Sequence, residues 1–197
     1  MNIFSIVALL ILGISPALAH VGHDVAGSFA AGLAHPFGGL DHVAAMIAVG
    51  VWAGLKGGQA LWIWPAAFVV LMLIGGAFGM VMTLPDEVSN LVEPGILTSV
   101  VVLGLMVMLA VDLPVAAGAA MIGVFAIFHG YAHGSDIAEN ISGIEYIAGF
   151  TVATAALHMT GVGFAQLMRR AHMNLAVRAA GALCVVIGAL LIEGALP

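Results

Sequence analysis

Apolar runs of about 20 residues, the length an α-helix needs to cross a hydrocarbon core of about 30 Å, recur along the whole chain. They are cut only by short stretches carrying Gly, Pro and charge. Read from those breaks, the pattern predicts spans at roughly 38–55, 60–83, 91–111, 113–133, 143–168 and 175–196. The strands of a transmembrane barrel would alternate polar and apolar positions, and no such alternation occurs. The expected fold class is therefore all-α, a polytopic helical membrane protein with about six transmembrane helices.

The first apolar run is of another kind. Residues 1–19 hold a short core, IFSIVALLILGI, then Ser15, Pro16 and the small-residue pattern Ala17-Leu18-Ala19 before a polar His20. This is the layout of a secretory signal peptide cleaved after Ala19, although only the α-amino group supplies positive charge ahead of the core. Residues 20–197 are then expected to form a single transmembrane domain.

Composition agrees. Of 197 residues 63% are hydrophobic, with four Lys and Arg against ten Asp and Glu. So few basic residues exclude a nucleic-acid surface, and the formal charge of -6 favours cations as partners. The single cysteine, Cys184, excludes an intrachain disulfide and reads as buried packing. Lys56, Arg169, Arg170 and Arg178 all fall at one end of the expected spans, which marks that end as cytoplasmic. Asp86, Glu87, Glu93, Asp136, Glu139, Glu145 and Glu193 collect at the other. Trp62 and Trp64 suit an interfacial belt, Gly50 with Gly54 and Gly75 with Gly79 suit close helix contacts, and the methionines suit gap-filling.

Ionisable residues inside membrane helices need partners or a task, and eight histidines in so apolar a chain stand out. Most gather toward the exported ends. In the segment from His35 to His42, Pro36 and the Gly38–Gly39 pair predict a broken start to the first span, leaving His35, Asp41 and His42 free to converge. The local alternative makes Asp41 a helix N-cap. His129 and His133, four apart, share a helix face and either form a chelating pair for a transition metal, with Asp136 as third ligand or supporting carboxylate, or are core histidines hydrogen-bonded to neighbouring backbone. Gly130 and Gly134 would admit another helix to that face. His158 lies deep in the fifth span, either hydrogen-bonded in the core or a lower station on a pathway. Glu145 begins that span as either an entrance guard or a solvated carboxylate, whereas His172 reads as surface. After cleavage, His20 would offer an α-amine and an imidazole, with His23 and Asp24 behind it, as an accessory metal-delivery segment.

Three blocks make the chain resemble the HupE/UreJ family of nickel/cobalt permeases: His35-Pro36 through Asp41-His42, of the form H-x5-D-H; FHGYAHGSD, residues 128–136; and ATAALHMTG from Ala153. The resemblance implies about six spans in a bacterial cytoplasmic membrane, an exported N-terminus, and uptake of nickel or cobalt. It also implies His35, Asp41, His42, His129 and His133 as functional positions. The family pattern ends the second block in Glu, where this chain has Asp136, one methylene shorter.

Imidazole with carboxylate suits nickel, cobalt, zinc or copper(II) and disfavours magnesium and calcium. No phosphate-binding loop is present, so nucleotide is not expected as a partner. A divalent cation moving inward gains about 4.6 kcal/mol at roughly 100 mV. Imidazoles bind metal unprotonated, so uptake should weaken in acid around a His pKa of about 6.5. The expected activity is thus transport, not catalysis, with the metal ion as cargo rather than cofactor and the lipid bilayer as surroundings. The alternatives are a membrane-embedded metal-dependent hydrolase and a bis-histidine haem protein.

Overall fold

A computed structural model describes residues 29–136 and 143–195. The expected signal peptide with its cleavage site, His20, His23, Asp24 and Glu139 lie outside the described residues, as does the side chain of Asp136.

All regular structure among the described residues is helical. A short α1 (Phe29–Ala34) runs into a single 3-10 turn (His35–Gly38), followed by α2 (Leu40–Lys56), α3 (Ala60–Val81), a one-turn α4 (Asp86–Ser89), α5 (Val92–Met108), α6 (Val115–Asp136), α7 (Gly143–Arg170) and α8 (Asn174–Ala195). The chain is a multi-pass membrane protein. Five stretches are long and apolar enough to cross a bilayer alone: Ala60–Val81, Asp86–Met108, Val115–Ser135, Gly143–Arg170 and Asn174–Ala195.

The sixth span has the broken start that Pro36 and the Gly38–Gly39 pair predict, but it begins further upstream than residue 38. The helix after the break, α2, has 17 residues, about 26 Å. It reaches full length only together with Phe29–Gly38, from which it is bent by 89°. The histidines from this part of the chain therefore sit at an elbow.

The helices pair α3 with α6, α5 with α8 and α2 with α7, while α1 lies against α7. Small residues set the closest approaches, because lipid offers no hydrophobic drive and backbones must come near for dispersion to hold them. A Cβ at Gly134 would strike the Gly76 carbonyl, one at Gly130 the Met72 carbonyl, and one at Gly50 the carbonyl of His158.

One end of the bundle gathers the basic residues. Gly57 takes φ 73 and donates its N–H to Ala53 O (2.8 Å), ending α2. The leftover carbonyls of that terminus, Gly54 and Leu55, accept from Arg169 Nη1 at 3.0 and 2.9 Å. Arg178 Nε donates to Met108 O at the end of α5 (2.8 Å). Lys56 pairs with Asp112.

Trp64 departs from the interfacial role expected of it. Trp62 is 67% exposed, as a belt residue would be, but Trp64 is completely buried. Its ring packs on Trp52 with centroids 4.2 Å apart. Both indoles spend their N–H groups on carbonyls where the chain turns from α5 into α6, Trp52 on Val111 O (2.8 Å) and Trp64 on Val115 O in the first turn of α6 (2.9 Å). Position 64 faces inward because α3 starts at Ala60, which turns Trp62 to lipid and Trp64 to the bundle.

Candidate metal site

The elbow forms locally. Pro36 opens the 3-10 turn, where its missing N–H is no loss. Pro was expected to keep His35 out of a helix, yet Ala34 is αR and the turn runs through His35. The break falls at Gly39, extended at φ -125 and ψ 131, which precedes α2 as its N-cap. A side chain at 39 would collide with the Asp41 carboxylate and the His42 ring, so the position must be bare. The N-cap role weighed for Asp41 is not realised: no side chain caps α2, and Asp41 turns instead to its neighbour.

Three imidazoles converge there. His42 Nε2 lies 2.6 Å from His133 Nε2, and His35 Nε2 lies 3.1 Å from His133 Nδ1. One ligand atom from each of His35, His42 and His133 falls within 4.8 Å of the others. Behind them, Asp41 Oδ2 is 2.6 Å from His42 Nδ1, the two side chains only 17% and 14% exposed.

Asp41 is therefore within ion-pair distance of His42 Nδ1, although the pair does not have the geometry of a hydrogen bond. In each of the His35–His133 and His42–His133 contacts one nitrogen donates and the other accepts, according to the tautomers of the rings. A carboxylate behind an imidazole is an arrangement that metal centres share.

His129, one turn below His133 on α6, is fully buried. Its Nδ1 donates to Phe125 O (3.0 Å), so Nε2 is a bare lone pair, and that atom has no partner among the described residues. Its ring stands 5.5 Å from that of His42. Between the two histidines, Tyr131 donates to Met82 O (3.2 Å) and accepts from Leu84 N–H (3.1 Å), tying the loop after α3 to α6.

The family model described as HupE / UreJ protein matches residues 7–191. The chain belongs to the HupE/UreJ family. Protein HupE of Rhizobium leguminosarum bv. viciae is 42% identical over 181 residues, covering 91% of this chain and 92% of its own. No solved structure matches. The match takes in all three blocks from which the resemblance was read, in a family associated with nickel and cobalt uptake.

Against the residues expected at the site of this HupE/UreJ chain, the fold brings together His35, His42 and His133, sets Asp41 behind His42, and places His129 a turn deeper. Asp136 ends α6, Glu145 is exposed in the first turn of α7, and His172 is exposed with φ 58. His158 lies deeper, its ring 5.0 Å from Phe68. Sequence reasoning missed the aromatic wall. Phe150 is 4.6 Å from His133 and 5.7 Å from His35, and Tyr146 is 5.6 Å from His35. The two are four residues apart on α7, a spacing that fits any buried face and so gave no signal.

Proposed function

We propose that this chain is an uptake permease for a divalent transition metal, nickel or cobalt, which it admits through the His35, His42 and His133 cluster. The observation that carries this reading is the convergence of three imidazoles with a carboxylate behind one of them. A set dominated by nitrogen suits these metals and not calcium or magnesium.

The direction follows from charge. Lys56, Arg169, Arg170 and Arg178 mark their end as cytoplasmic, so the histidine end faces outward, in a bacterium the periplasm. The N-terminus that precedes α1 then lies outside, in keeping with an exported leader. A divalent cation entering from that side gains about 4.6 kcal/mol from roughly 100 mV of membrane potential, enough to drive uptake without nucleotide. Asp41, His129 and Asp136 belong to the same pathway: the first faces His42, the second receives the ion below, and the third adds a carboxylate to the donor set. His20, His23, Asp24 and Glu145 have accessory roles.

The test is accumulation of radioactive nickel and cobalt, with zinc and copper as competitors, in metal-starved cells expressing wild type or His42→Ala at equal membrane levels. Uptake by wild type and its loss in the variant are expected. Failure of the wild type to accumulate any of these metals would overturn the reading.

A further inference from the structure

His158 and Thr154 lie one turn apart on the same face of α7, and both are completely buried. Neither nitrogen of His158 nor the Thr154 hydroxyl has a hydrogen-bond partner among the described residues. Thr151, a turn before Thr154, likewise has no partner among the described residues. By contrast, His129 spends its Nδ1 on the carbonyl four residues back, and Thr160 spends its hydroxyl on Ala156 O (2.8 Å). His158 and Thr154 make no such local bond. A histidine that merely fills space in a membrane bundle would satisfy itself in this way, because hydrocarbon offers no water instead.

Position adds to the case. His158 is 15 residues from Gly143 and 12 from Arg170, or about 22 Å and about 18 Å along the helix, which is midway through the bundle. The Phe68 ring touches both this histidine and the upper site, with centroids 5.6 Å from His129 and 5.0 Å from His158. From the outer cluster the uncommitted nitrogens thus descend through His129 Nε2, past one aromatic ring, to His158. Gly50 lets α2 seal this level, since any side chain there would strike the His158 carbonyl.

We propose that His158 and Thr154 form a second station for the transported divalent transition-metal ion, with Phe68 as the gate between it and His129. The station rests on the uptake reading above. The ion leaves His129, passes the face of Phe68, which favours a cation, and is held by an imidazole nitrogen and a hydroxyl oxygen before release toward the basic end.

The experiment compares wild type, His158→Leu and His158→Gln, measuring nickel accumulation in cells, nickel affinity of purified protein by equilibrium dialysis, and thermal stability. Leu removes two unpaired nitrogens at similar volume, so a histidine that only packs would leave the Leu variant as stable as wild type or more so, and still active. The station predicts that initial uptake falls at least about tenfold in both variants, as expected when a ligand on the path is lost. Affinity at the outer cluster should stay within about twofold, because the sites are separate. Uptake within about twofold of wild type in either variant that folds would overturn the station. Absence of uptake in the wild type itself would instead defeat the transport reading.

Discussion

His42 and His133, 91 residues apart in the chain, approach to 2.6 Å through their Nε2 atoms. A nitrogen–nitrogen contact this short holds one proton between the two rings. A cation that inserts there needs both lone pairs. The ring that carries the proton must then give it up, and the rings must part. The resting contact is therefore held by a proton in the place the metal would take, which couples binding to proton movement at this pair.

Asp41 faces His42 Nδ1 at 2.6 Å, so its charge should matter more than its bulk. Asp41→Asn is expected to weaken nickel binding about 10–100-fold, the usual cost of losing the carboxylate behind a ligating histidine, with the protein still inserted and helical. Equilibrium dialysis against circular dichroism of the purified variant checks both halves.

Much of this was legible beforehand, and the reasons differ by residue. The spans could be read because lipid forces continuous apolar helices, and five of the six boundaries fall within a few residues of those expected. The chelating pair His129 and His133 followed from helical spacing alone. The 89° elbow did not, because Pro36 and two glycines permit a break without stating its angle. Trp64 misled because a tryptophan near a span end suits an interface as well as a core, and only the start of α3 tells which. That Asp41 would turn to His42 rather than cap α2 depended on Gly39 taking the N-cap position bare.

The seam between α3 and α6 carries His133 to its place. Gly134→Ala would push a methyl into the Gly76 carbonyl, costing about 1–3 kcal/mol by overpacking and displacing the neighbouring His133. Gly38→Ala, where a Cβ meets nothing within 4 Å, should be nearly silent. Thermal unfolding in detergent and nickel uptake, run on both variants, separate a packing requirement from a general intolerance of change.

Trp64 closes the bundle near the basic end and is expected to be among its costliest positions. Trp64→Ala should destabilise by about 3–5 kcal/mol through the cavity it leaves. Trp64→Phe, which keeps the ring but loses the bond to Val115 O, should cost about 1 kcal/mol. Reversible unfolding in mixed micelles gives both numbers.

At that same end, two cations should prove unequal. Arg169 serves two carbonyls of the α2 terminus, and Arg169→Ala is expected to cost about 1.5–3 kcal/mol. Lys56 pairs with Asp112, whose side chain is 77% exposed, so Lys56→Ala should cost about 0–1 kcal/mol and less in high salt. Measuring both variants at low and high ionic strength checks the contrast.

The central claim is that metal binds between the imidazoles of His35, His42 and His133. X-ray absorption at the nickel edge of purified, nickel-loaded protein counts imidazole ligands directly. Several bound imidazoles are expected in the wild type, and a lower count in His133→Ala at equal nickel loading. An imidazole count unchanged by removing His133, or a nickel shell of oxygen alone, would contradict it.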